Sequence, residues 1–191
     1  MRSHNQRRDV AEVIGDQLDA VPDILGWHCV DMSQRLYDRS SRTIAVSDIR
    51  PPVLAAMEAH AAERLLDPVA ETAVACVATR SVSLRKPGFL ARLGGRTPEA
   101  EHHTFAALTP ATLVAATTGE QRGITVMSIR LADIDVIEQT DTTHVIDSSI
   151  HVQGRWGESE SSSYVVALGD DPAGQAFHAA LRSAVAAAKR S

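Results

Sequence analysis

Phe105–Thr118 reads FAALTPATLVAATT, and it decides how the chain folds. An apolar run from Phe105 to Leu108 meets Thr109-Pro110, after which a second run extends from Thr112 to Thr118. Proline fixes φ and lacks an N–H, and a threonine hydroxyl bonds nearby backbone, so this dipeptide turns the chain between two extended runs. The pair reads as an antiparallel hairpin.

Away from the hairpin the hydrophobic period stays near two in both directions. Thr72 to Arg85 alternates Val74, Cys76 and Ala78 with polar or small neighbours, continues through Val82 and Leu84, and stops at Pro87-Gly88. A loop through Gly94 and Gly95 then leads to His103. Downstream, Gly119 and Gly123 bracket a turn, Ile124 to Arg130 is extended, and Leu131-Ala132-Asp133 forms a corner before Ile134 to Gln139. Ser149 to Gly154 and Ser163 to Leu168 bring the strands to seven. Their connections are too short to hold helical crossovers, which predicts an antiparallel meander.

Helical signals flank this region. Asp171 before Pro172 combines a capping side chain with a residue suited to the first helical turn. Ala173, Ala176, Phe177, Ala180, Leu181, Ala184, Val185 and Ala188 follow on one face, with Phe177 and Leu181 as anchors for the open end of a small barrel or sandwich. Upstream, Val10, Val13, Ile14, Leu18 and Val21 predict an amphipathic helix that Pro22 ends. Pro51-Pro52 opens another, whose predicted buried stripe is Val53, Leu54, Met57, Ala61 and Leu65 and whose end falls near Leu66. Residues 24–49 lack a clear period and read as connecting structure, with Thr43 to Val46 a candidate short strand. The expected organisation is a helical N-terminal extension, residues 1–70, and a β-domain with a capping helix, residues 71–191.

Over roughly Glu71 to Arg190 the pattern resembles the pleckstrin-homology-like superfold, including its bacterial and GRAM-type relatives. The resemblance is carried by LTPATLVAAT (108–117), SIRLADIDVIE (128–138), SIHVQG (149–154), SYVVAL (163–168) and AFHAALRSAV (176–185). It implies an α+β fold: a seven-stranded antiparallel β-barrel or sandwich capped by the C-terminal helix. It also implies a binding module for lipids, peptides or partner proteins, with basic residues in the loop after the first strand and in neighbouring loops. The matching positions here hold Arg85, Lys86, Arg92 and Arg96, then Arg122, then Arg155 and Trp156. The pattern departs from the family's lysine-x-arginine pairing, and the run Thr104 to Leu108 brings no cation.

Charge and composition bound the function. The chain has 191 residues, 44% hydrophobic and 23% charged, enough for one folded domain with an appendage. Its net charge of −5 opposes binding to nucleic acid or to anionic membranes except through a local basic patch. The one such patch runs from Arg80 to Arg96, with five basic residues and no acidic one. Arginine grips phosphate in a bidentate way, so the patch is a candidate anion site. Nearby Glu99, Glu101, Glu120, Glu158 and Glu160 weaken it and favour solvated loop charges. Phe89, Leu90 and Leu93 in the same loop either dip into a membrane interface or fold over the barrel end. Trp156 is likewise either a partner anchor or a covered core residue.

Cys29 and Cys76 have neither metal-ligand spacing nor a disulfide framework, which points to a reducing compartment. Adjacent His102 and His103 point to opposite faces of an extended chain and do not share a metal. His144, Asp147 and Ser148 have the residue types of a hydrolytic triad without the glycines of a nucleophile elbow, and read as turn polar groups. The Leu93-Gly94-Gly95 loop lacks the lysine and serine of a phosphate loop. No catalytic residue, metal or cofactor is therefore expected. Glu12, Asp16 and Asp19 break the apolar run a leader peptide needs, and no stretch approaches a membrane span. Two lysines among many alanines and arginines suggest a GC-rich bacterial genome. The leading expectation is a cytoplasmic, non-catalytic module that contacts a protein partner or a second copy of itself. The alternative is docking on anionic lipid at the inner membrane surface through the basic loop.

Overall fold

Every residue of Phe105–Leu108 and of Leu113–Ala116 is buried. Successive strand residues face opposite sides, so a hairpin buried at every position needs a cover on both faces. The computed structural model, which describes residues 36–84, 100–139, 148–155 and 161–190, supplies both. Strands β1 (Tyr37–Thr43), β2 (Ala75–Ser83), β3 (Glu101–Leu108), β4 (Thr112–Gly119) and β5 (Gly123–Arg130) form a five-stranded sheet in that order. Each is antiparallel to the next. A 3-10 turn, Leu131–Asp133, leads to a second antiparallel sheet of β6 (Ile134–Gln139), β7 (Ser149–Gly154) and β8 (Ser162–Ala167). Helix α1 (Pro51–Glu63) and the short α2 (Val69–Thr72) lie between β1 and β2 in the chain, and α3 (Pro172–Ala188) follows β8.

The fold is thus α+β, with two antiparallel sheets and a C-terminal helix. The Thr109 turn closes as its chemistry predicts. Its N–H donates to the Thr112 carbonyl at 2.9 Å, its hydroxyl accepts the Thr112 N–H at 2.9 Å, and Leu108 pairs with Leu113.

One core lies between the two sheets and α3. It joins Val77, Leu108, Leu113, Ile129, Ile150, Val152 and Val166 to Phe177, Leu181 and Val185. Phe177 and Leu181 are the anchors their spacing predicts, at 4% and 0% exposure. The other core lies on the outer face, where Val53, Met57 and Ala61 of α1 pack on Cys76, Ala78, Phe105, Ala107, Val114 and Ala116.

Four features decide or change what was expected. Of the barrel and the sandwich, the strands form two separate sheets and no single closed barrel, because the 3-10 turn ends the ladder at β5 with Leu131 and Ile134 fully buried. An eighth strand, β1, comes from the range expected to be a helical extension with irregular connections. Its sequence YDRSSRT has no apolar alternation, and polar bonds hold it instead. Ser41 Oγ lies 2.8 Å from Thr79 Oγ1 and accepts the Gly169 N–H at 2.7 Å, while Arg39 Nε donates to Ser81 Oγ at 3.3 Å. The Asp171 carboxylate caps α3 through the Gly174 N–H at 2.9 Å and also accepts the Ser41 N–H, which covers part of the free edge of β1.

Third, β3 begins at Glu101, four residues before its apolar run. Fourth, Leu65 is 89% exposed instead of completing the buried stripe of α1. The helix stops at Glu63, the Leu66 N–H bonds back to the Ala61 carbonyl at 2.8 Å, and Leu65 takes φ 55° between them. That is the left-handed position of a helix-ending turn, which glycine normally fills. The expected helix at 9–21 lies outside the described residues.

Two substitutions test this packing with opposite signs. Leu65→Gly is expected to raise the unfolding free energy by about 0.5 to 1 kcal/mol, since left-handed backbone is relieved and little burial is lost. Gly174→Ala is expected to lower it by about 2 kcal/mol. An added Cβ there would sit 2.1 Å from the Gly169 carbonyl oxygen, although in an open helix the change would stabilise by about 1 kcal/mol. Urea denaturation of both variants measures the two effects.

Candidate functional site

Arg85, Lys86, Arg92, Arg96 and Trp156 lie outside the described residues. Arg122 belongs to the turn between β4 and β5. Arg155 follows β7 and is held at the far end of β5: its N–H donates to the Asp133 carbonyl at 3.1 Å, and its guanidinium pairs with the Asp133 carboxylate. An eight-residue strand spans roughly 25 Å, so these two arginines do not converge.

Strand parity builds a different polar surface. On the outer face, Arg80 stands opposite His103, Ser40 opposite Arg80, and Thr118 opposite His103. Helix α1 covers the apolar half of that face and starts beside its polar half. Arg50, the residue before the helix, places its guanidinium carbon 5.4 Å from the Phe105 ring centroid, a cation–π contact. Arg80 donates through Nε and Nη2 to both Glu101 oxygens, at 2.7 and 2.6 Å. His103 Nε2 lies 3.0 Å from Glu101 Oε1, and its ring stacks near Phe105 at 6.5 Å between centroids.

The hydrogen bonds from Arg80 hold the Glu101 carboxyl below the usual carboxylate range, and those same bonds push Arg80 up. Two depressions adjoin His103. One, of about 320 Å³, is lined by Ser40, Arg42, Arg80 and Phe105; the other, of about 340 Å³, by Arg50, Glu101, Thr118 and Glu120. His102 turns the other way, its ring edge-on to Tyr37 at 5.1 Å, as adjacent strand positions require.

A second polar site lies at the other end of α1. Arg64, the C-cap, shares a depression of about 270 Å³ with Leu66, Ser128, Ile129, Arg130, Asp133 and Arg155. His60 Nε2 and Ser128 Oγ are 2.9 Å apart at its margin. Burial first, then the charge on Arg64, pushes His60 below the usual histidine range. In the hydrophobic interior, burial pushes the Cys76 thiol up, which suits a packing residue more than a nucleophile.

Glu101 and His103 were legible as a pair only with β3 starting at Glu101, since both then share a face with Phe105. Arg64, Arg130 and Arg155 carry no sequence signal as a group, because they lie on separate elements. Comparison with protein-family models, with curated proteins and with solved structures returns no match. Among the described residues no helix is long and apolar enough to cross a membrane.

Two histidines predict a pH-dependent stability. His178 on α3 has a buried Nε2 without a hydrogen-bond partner among the described residues, and burial, then Arg182, lowers its pKa. His60 is lowered as well. A folded value below the unfolded 6.5 means the unfolded chain binds more protons as the solution is acidified. The stability is present in full above about pH 6.5 and is lost as pH falls through the folded values. Urea denaturation at pH 7, 6 and 5 is expected to show this decline, and His178→Gln to flatten it.

Proposed function

We propose that the chain is a non-catalytic, pleckstrin-homology-like binding module that works by protein contact in a bacterial cytoplasm, with a partner protein or a second copy of itself. The chain order supports the first half of this reading. Seven consecutive strands, β2 to β8, then a helix against the core follow the order the resemblance implies, with β1 as an eighth strand beside β2. On that reading β1 and α1 are additions, one at the sheet edge and one on its outer face.

The observation that carries protein contact is the Arg80–Glu101–His103 group beside two broad depressions. Mixed-sign, mutually hydrogen-bonded charges next to an aromatic ring set the register of a protein interface without gripping one small anion. Anionic lipid instead favours cations that are not already neutralised. Of the cations that the sequence pattern singled out, Arg80 is occupied by Glu101 and Arg155 by Asp133. The alternative, docking through Arg85, Lys86, Arg92 and Arg96, calls for those four cations to act together.

Sedimentation of the full chain with phosphatidylglycerol vesicles and with neutral vesicles, at low and moderate salt, separates the readings. Protein contact expects no binding in any of the four conditions. Binding to phosphatidylglycerol alone that falls steeply with salt and is abolished by Arg92→Glu would overturn it in favour of the lipid reading.

A further inference from the structure

The depression at the C-terminal end of α1 has a composition at odds with its surroundings. In a chain of net charge −5, it gathers Arg64, Arg130 and Arg155 around about 270 Å³, with Asp133 as the one carboxylate among its lining residues. Asp133 pairs with Arg155. Arg64 and Arg130 make no ion pair among the described residues. Guanidinium groups brought together in this way repel one another, and a bound anion relieves that repulsion.

We propose that this depression is an oxyanion site that takes a phosphate monoester. Three arginines against one aspartate leave two positive charges in excess, which matches the near-dianionic state of a phosphomonoester at neutral pH. Each guanidinium offers a planar fork of N–H donors, and the three arginines line the depression from separate elements, the end of α1, the end of β5 and the residue after β7. That arrangement suits a tetrahedral group with several acceptor oxygens better than a flat carboxylate. Ser128 adds a further donor: where His60 Nε2 carries the proton and donates to Ser128 Oγ, the hydroxyl proton is free to point into the depression. Asp133 is the built-in competitor, because its carboxylate holds Arg155 as the phosphate would.

The site is distinct from the His103 face. Helix α1, 13 residues and about 20 Å long, runs between them, with Arg50 at one end and Arg64 at the other.

Titration of the full-length chain with inorganic phosphate and with glycerol phosphate, at constant ionic strength and followed by amide NMR, tests the proposal. Saturable shifts are expected at Arg64, Ser128 and Arg130. Arg130→Ala and Arg64→Ala are each expected to weaken binding by about tenfold, since each removes a charged hydrogen-bonding group from an exposed position. Asp133→Asn is expected to tighten it several-fold by releasing Arg155. Binding of glycerol phosphate in solution but not of phosphatidic acid vesicles assigns the phosphate to a small molecule. Vesicle binding that Arg130→Ala removes assigns it to a lipid headgroup. Absence of saturable shifts, shifts confined to other residues, or weaker binding in Asp133→Asn overturns the site.

Discussion

Burial of β2, β3 and β4 on both faces is the constraint from which the remaining architecture follows. An apolar residue at every position of Phe105–Leu108 and Leu113–Ala116 leaves the sheet with two surfaces that water must not reach. One is closed by the second sheet and α3, the other by α1. Small residues in these strands, Ala78, Ala106, Ala107, Ala115 and Ala116, let both covers approach closely. The corner at Leu131–Asp133 exists because the chain must leave the first sheet and return across it.

Covering the outer face with one helix has a functional consequence. Helix α1 packs on the apolar residues of the outer face, and polar ground lies at each of its ends. At its start, Arg80, Glu101 and His103 satisfy one another and present an ordered, mixed-sign surface. At its end, the arginines outnumber the carboxylate among the lining residues. The same packing event therefore leaves two surfaces of different electrostatic character: one where Arg80, Glu101 and His103 bind one another, the other where arginines outnumber the carboxylate.

Much of the fold could be read from hydrophobic period alone. The seven apolar or half-apolar strands, the Thr109-Pro110 turn, the Leu131–Asp133 corner and the Asp171 cap all announce themselves through local chemistry. β1 did not, because its half-buried Arg39 and Ser41 are polar and are held by hydrogen bonds to residues 38 to 130 positions away. Leu65 misled for a related reason: its apolar side chain fits the stripe, but the helix ends two residues earlier and the backbone turns it outward.

What the sequence determined by itself was the kind and order of elements, since a period of two, a turn residue and a cap act within a few positions of the chain. What only the tertiary structure decided was which strands share a sheet, where its edges fall and which charges meet. Arg80 and Glu101 pair because an antiparallel register puts their strands side by side, and Arg64, Arg130 and Arg155 gather because α1 ends where β5 and β7 end. Such meetings depend on packing two apolar faces at once, a condition no single stretch of sequence contains.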